Sequence, residues 1–126
     1  IFKKGALMQE HEKIDYVEFP ANDIEATKKF FTKTFGWEFA DYGPEYSSFA
    51  NEGINGGFFK SNKKATTETG SALIIFYSKD LEDTQEKVKD AGGKIINPIY
   101  SFPGGRRFHF TEPSGNEFAV WSDKAD

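Results

Sequence analysis

The chain states one phrase twice, and a tandem repeat limits the fold more than any composition figure does. The first copy runs from Ile14 to Gly36, IDYVEFPANDIEATKKFFTKTFG, and the second from Leu73 to Gly93, LIIFYSKDLEDTQEKVKDAGG. An offset of 57 sets Asp23 on Asp80, Glu25 on Glu82, Thr27 on Thr84 and Gly36 on Gly93. Ile24 then falls on Leu81 and Phe31 on Val88. Each copy reads as a strand, a capped helix and a glycine stop.

The segments after the two glycines also match. After Gly36 come short strands at Trp37–Phe39, Tyr46–Ala50 and Ile54–Lys60, separated by turn residues. After Gly93 come strands at Lys94–Ile99, Arg106–Thr111 and Glu117–Ser122. The expectation is therefore an α+β protein of two βαβββ units in one domain spanning 1–126, with unit one about 13–60 and unit two about 71–122. Ser61 to Gly70 (SNKKATTETG) reads as a polar connector with no core content. Pro20 is expected to end the leading strand, and Lys28, Lys29 and Lys33 to form a solvated helix face.

The apolar content needed for a core is concentrated in 14 Phe, 5 Tyr and 2 Trp. No cysteine is present, which excludes disulfides and thiolate metal sites. A net charge of −4 argues against nucleic acid and anionic membranes as partners. No apolar run reaches the roughly 18 residues of a membrane span, and the N-terminal IFKKGALMQEHEK lacks the apolar core of a signal peptide. A cytoplasmic location is the default expectation. Met8 offers a start site that would leave Ile1–Leu7 as upstream sequence, and His11 reads as a solvated tail histidine.

Strand alternation sorts side chains into two faces. Val17, Phe19, Ile74, Phe76, Phe108, Phe110, Phe118 and Val120 form an apolar, helix-facing set. Opposite them stand Tyr16, Glu18, Leu73, Ile75, Tyr77, Arg107, His109, Glu117, Ala119 and Trp121. That second face mixes aromatic rings with charge, which a dry core tolerates only with partners. A ligand cavity accounts for the mixture.

The two units, the Asp-Ile/Leu-Glu opening of each helix, and the segments YVEFPANDIEATKKFF, GWEF, GINGGFFK and EPSGNEFAVW resemble the vicinal-oxygen-chelate superfamily, and within it the small glyoxalase/bleomycin-resistance-like branch. The resemblance covers about Lys13 to Ser122. It implies curved mixed sheets around a cavity, and a homodimer. It also implies a test for metal. Metal-dependent members chelate a divalent ion through His, Gln or Glu at four cavity positions, which by the match are Tyr16, Gly57, Leu73 and Ala119 here. One phenol, a glycine and two hydrocarbon side chains cannot supply a chelate, so no metal and no cofactor is expected. An improvised site from Glu18, His109 and Glu117 is the alternative.

The reading that results is a metal-free protein binding a small aromatic or anionic molecule. Tyr16, Phe59, Tyr77, Arg107 and Trp121 are the expected ligand contacts. The rival reading is a lyase or isomerase with Glu18 and His109 as acid and base. A third is an interaction module without chemistry. Glu18 is expected to pair with Arg107, or failing that His109, inside one cavity, while Glu117 is expected to be solvated at a strand end.

Overall fold

The structure is a computed structural model, and it describes residues 9–124. Met8 and the residues before it lie outside that range. His11 is within it and is almost wholly exposed, beside Glu12.

Unit one comprises β1 (Tyr16–Ala21), α1 (Ile24–Phe35), β2 (Phe39–Asp41), β3 (Tyr46–Phe49) and β4 (Asn55–Lys60). Unit two comprises β5 (Ile74–Tyr77), α2 (Leu81–Asp90), β6 (Lys94–Phe102), β7 (Gly105–Thr111) and β8 (Glu117–Ser122). Each unit forms a four-stranded mixed sheet, ordered β1-β4-β3-β2 and β5-β8-β7-β6. The leading strand of each pairs in parallel with the last strand of its own unit. The two-unit expectation holds element for element.

Both helices start where the repeated Asp predicts. Asp23 accepts a hydrogen bond from the Ala26 amide, and Asp80 from the Asp83 amide, each satisfying an otherwise orphaned N–H of the first turn. Helix α1 stops at Gly36, whose φ of 74° lets its N–H turn back onto the Phe31 and Thr32 carbonyls.

The helix-facing set packs as the alternation requires, and it forms one core across both units. Helix α1 makes the join. Phe31 lies 5.7 Å from Phe58 of the first sheet and 5.3 Å from Phe118 of the second. Phe30, which helical spacing alone did not single out, is buried and reaches Phe110 at 5.7 Å. Phe35 stacks on Phe76 of β5 at 4.5 Å.

Four local expectations are corrected. Pro20 does not end β1, which runs on to Ala21. Because β1 is an edge strand, a missing N–H costs no ladder bond there. Lys28 is largely covered and bonds to both Asp41 oxygens at 2.9 Å, so it pins α1 to β2 instead of standing in solvent. Strand β6 extends to Phe102, beyond the Ile99 boundary, through two register shifts between Ile95 and Tyr100. The connector is not empty of core content. Ala65 is buried, its N–H donates to Asn116 Oδ1 at 2.9 Å, and its carbonyl accepts from the Glu117 N–H at 2.9 Å.

The EPSGN turn is a structural staple. Glu112 is 2% exposed and accepts from Thr27 Oγ1 (2.6 Å), the Ser114 N–H (2.9 Å), Asn116 Nδ2 (2.7 Å) and the Asn116 N–H (3.2 Å). Burial drives its carboxyl above the ordinary carboxylate range, and these hydrogen bonds pull it back only in part. Asn116 also donates to the Pro20 carbonyl at 2.6 Å. The turn thus ties unit two to β1, α1 and the connector at once.

Candidate functional site

Each sheet has one face in the common core, and the residues expected at the site lie on the two opposite faces. On the first sheet Tyr16, Glu18 and Phe59 share a face with Tyr46. The Tyr46 hydroxyl donates to Glu18 Oε2 at 2.7 Å and lies 2.6 Å from the Tyr16 hydroxyl. Burial, then the hydrogen bonds with Tyr16 and Glu18, hold the Tyr46 phenol protonated far above its usual range. Burial also raises Tyr16, while its hydrogen bond with Tyr46 acts the other way. Glu18 itself is exposed on this face, not buried.

This phenol pair lies over Gly57. A methyl group at Gly57 would stand 2.6 Å from Tyr46 Cζ and 2.9 Å from the Tyr16 hydroxyl, closer than carbon atoms approach without displacement. The first-unit position where the resemblance would seat a metal ligand is therefore filled by tyrosine. In the second unit, Ala119 is fully buried and Leu73 half-buried, and neither carries a donor. The donor set does not fit a divalent ion. Nor do Glu18, His109 and Glu117 converge: no three His, Cys, Asp or Glu among the described residues could hold a metal.

The second sheet carries the richer face. Strand register places Tyr77 beside Trp121, Trp121 beside Arg107, and Arg107 beside Tyr100, one residue from each of the four strands. Ile75, Ala119 and His109 form the next row. Tyr77 meets Trp121 edge to face at 5.4 Å and donates to Asp123 at 2.7 Å. The Arg107 guanidinium carbon lies 6.0 Å from the Tyr100 ring and 5.9 Å from the Phe102 ring, within range of cation–π attraction. Ile75, Tyr77 and Tyr100 are exposed.

Beside this row, on the same face, runs a buried polar chain. Glu117 Oε1 accepts from the Thr67 N–H (2.7 Å) and Thr67 Oγ1 (2.9 Å), and Glu117 Oε2 lies 2.7 Å from His109 Nδ1. His109 Nε2 faces the Tyr100 hydroxyl at 2.9 Å and Arg107 Nη2 at 3.2 Å. A carboxylate only accepts and a guanidinium only donates. With the imidazole proton on Nδ1, His109 donates to Glu117 and its Nε2 is left to accept from Tyr100 and Arg107, while Arg107 Nε is buried with no hydrogen-bond partner among the described residues. Burial raises the Glu117 carboxyl, but the bonds from His109 and Thr67 outweigh it and bring it below the ordinary range.

Two expectations fail here. Glu117 is 5% exposed, not solvated. Glu18 and Arg107 do not pair: Tyr46 takes the carboxylate, and His109 with two aromatic rings takes the guanidinium. His109 is not the partner of Glu18 either, since both its ring nitrogens are engaged within the second sheet. Sequence reasoning also passed over Tyr46, Thr67 and Tyr100. Tyr46 was visible by its parity with Ser48. The register shifts in β6 hid Tyr100, and Thr67 is reached only through the course of the connector.

These observations define a class: paired βαβββ units sharing one core, with aromatic and charged faces left open. The chain belongs to the Glyoxalase/Bleomycin resistance protein/Dioxygenase superfamily, whose family model matches residues 13–120. Among curated proteins it is similar to a glyoxylase-like domain-containing protein of Didymella fabae, 29% identical over 87% of this chain and 93% of that one. It is also similar to the anthracycline biosynthesis protein DauV of Streptomyces sp. (strain C5), 28% identical over 79% of this chain and 42% of that protein. Among solved structures, a glyoxalase-related enzyme from Fulvimarina pelagi superposes with a TM-score of 0.74 at 17% identity, covering 88% of each chain. The fosfomycin resistance protein FosX from Listeria monocytogenes gives 0.73 at 16% identity, covering 90% of this chain and 94% of that one. At such identities the structural likenesses speak for the fold alone.

Proposed function

We propose that this protein binds a planar, anionic small molecule on the open face of the second sheet, without a metal. The observation that carries the reading is the row Tyr77, Trp121, Arg107 and Tyr100. Aromatic surfaces favour a flat ligand, and a guanidinium selects a carboxylate or related anion. Thr67, Glu117 and His109 form a chain beside Arg107 on the same face that holds its orientation. A relative named for anthracycline biosynthesis is in keeping with a flat aromatic ligand. The vacant chelate positions favour binding that relies on protein groups only.

The proposal includes a homodimer in the cytoplasm. Exposed Ile75, Ile96 and Tyr100 leave apolar surface on the second unit that a second copy would cover in part. A lyase or isomerase is the second reading, and one observation favours it: His109, oriented by Glu117, presents Nε2 to the Tyr100 hydroxyl, an arrangement able to pass a proton. Glu18 is not part of that chain.

The test is an amide and indole NMR titration of chelator-treated protein with 2-naphthoate. Shifts at Trp121, Tyr77 and Arg107 are the expected result. Saturation of shifts elsewhere, or binding that appears only after a divalent ion is added, contradicts the reading.

A further inference from the structure

A cavity lies at the seam between the units, with residues from both faces of β5 in its lining. It has a volume of about 320 Å³ and draws its walls from Val17, Trp37, Phe49 and Ile54 of unit one and Ile74 and Phe76 of unit two. All of these but Ile54 belong to the core or pack against it, so the cavity lies mainly on the core side, although Ile75 and Tyr77, the latter a member of the Arg107 row, also line it. Trp37 and Phe49 are buried, with ring centroids 4.3 Å apart, and Trp37 lies 6.0 Å from Phe76. The result is an aromatic-walled hollow of the size of a one-ring molecule.

Its lining holds one charged side chain, Glu52, in the turn before β4. Glu52 is half-buried and has no hydrogen bond or ion pair to a described residue. Burial raises its carboxyl above the ordinary range, and the charge of Glu38 adds to the effect. No lysine, arginine or histidine lines the cavity. An uncompensated carboxylate beside aromatic walls is costly alone and favourable toward a cation.

We propose that the seam cavity is a second binding site, which takes a compact apolar molecule bearing a protonated amine, its hydrocarbon against Trp37, Phe49 and Phe76 and its ammonium on Glu52. Charge complementarity chooses this occupant. An anion would meet Glu52 and Glu38 together, and a neutral hydrocarbon would leave the carboxylate desolvated and unpaired. The site borders the anion-binding face at Tyr77 but differs from it in sign of charge, and its lining does not include Arg107, His109 or Trp121.

The probe is 2-phenylethylammonium, with 2-phenylethanol as its neutral counterpart, titrated into the full chain and followed by the indole N–H signals of Trp37 and Trp121. The variant Trp121→Phe assigns the two signals. The ammonium should move the Trp37 indole and the Glu52–Ile54 amides, leave the Trp121 indole in place, and bind more tightly than the alcohol. Glu52→Gln should weaken the ammonium about fivefold or more and leave the alcohol unchanged, as expected for loss of a partly desolvated ion pair. Glu38→Gln, remote from contact, should weaken the ammonium by less. Equal affinity for the two probes, an unchanged ammonium affinity in Glu52→Gln, or shifts at Trp121 instead of Trp37 would overturn the proposal. Failure of 2-naphthoate at the Arg107 row would leave it standing.

Discussion

His109 and Glu117 stand diagonally across β7 and β8 with Nδ1 and Oε2 2.7 Å apart, both side chains less than a tenth exposed. Through this contact the connector reaches the open face, because Thr67 holds the other carboxylate oxygen. The pair fixes which imidazole nitrogen can accept, and so which way Arg107 is held.

Glu117→Gln tests that chain. The amide can keep accepting from Thr67 but presents N–H to His109, which forces the imidazole proton onto Nε2, against the Arg107 donor. Nitrogen shifts should report the change of tautomer. Stability should fall by about 1–3 kcal/mol, the cost of an unsatisfied buried group.

The same residue sets a pH dependence. Its folded-state carboxyl is held below the ordinary range, so its contribution is present above the unfolded pKa and is lost as pH falls through the folded one. Glu112 works in the opposite direction: raised in the fold, it favours folding below the ordinary carboxylate range and loses that contribution as pH rises through its raised value. Denaturant midpoints for wild type and Glu117→Gln should therefore converge as pH falls below about 4.3, the ordinary glutamate value, toward the lowered folded one. A constant gap across that range would contradict the assignment.

The staple makes a larger prediction. Asn116→Ala removes acceptor or donor partners from the Ala65 N–H, the Pro20 carbonyl and Glu112, all at a side chain with no exposure. The expected loss is about 2–4 kcal/mol in urea unfolding. A loss under about 0.5 kcal/mol, the range of a surface substitution, would show that water replaces these bonds freely.

The first-unit metal position at Gly57 should resist refilling by simple substitution. Gly57→His should displace Tyr46, and should not by itself confer zinc or nickel binding, since Leu73 and Ala119 still lack donors. Gly57→Ala should cost about 1–3 kcal/mol, and Tyr46→Phe should recover part of it. Elemental analysis of the dialysed wild-type protein should find far less than one equivalent of zinc, nickel, manganese or iron.

The architecture was legible because it was written twice. Asp23 and Asp80, each followed three residues later by the amide it caps, fixed both helices, and the period-two runs of β1, β5, β7 and β8 sorted core from open face correctly. Position along a strand was less legible than parity. The shifts in β6 moved Tyr100 next to Arg107, and only a pairing partner could reveal them. Glu117 looked solvated because burial at a strand end depends on what crosses it, and the connector that crosses it carries no apolar pattern beyond Ala65. The Glu18–Arg107 pair failed for a related reason. Alternation gives the face but not the sheet, and a tyrosine on the same sheet was nearer than an arginine on the other.

Arg107, as the proposed anion-selecting group of a metal-independent site, is the residue on which the functional reading turns. Isothermal titration of chelator-treated protein with 2-naphthoate and its neutral amide, in wild type and Arg107→Met, tests it most directly. Wild type should prefer the carboxylate, and Arg107→Met should lose about tenfold or more for the carboxylate while holding the amide within about twofold, the signature of a lost charge-assisted contact with the aromatic surface intact. Equal affinity of wild type and Arg107→Met for 2-naphthoate would contradict that role.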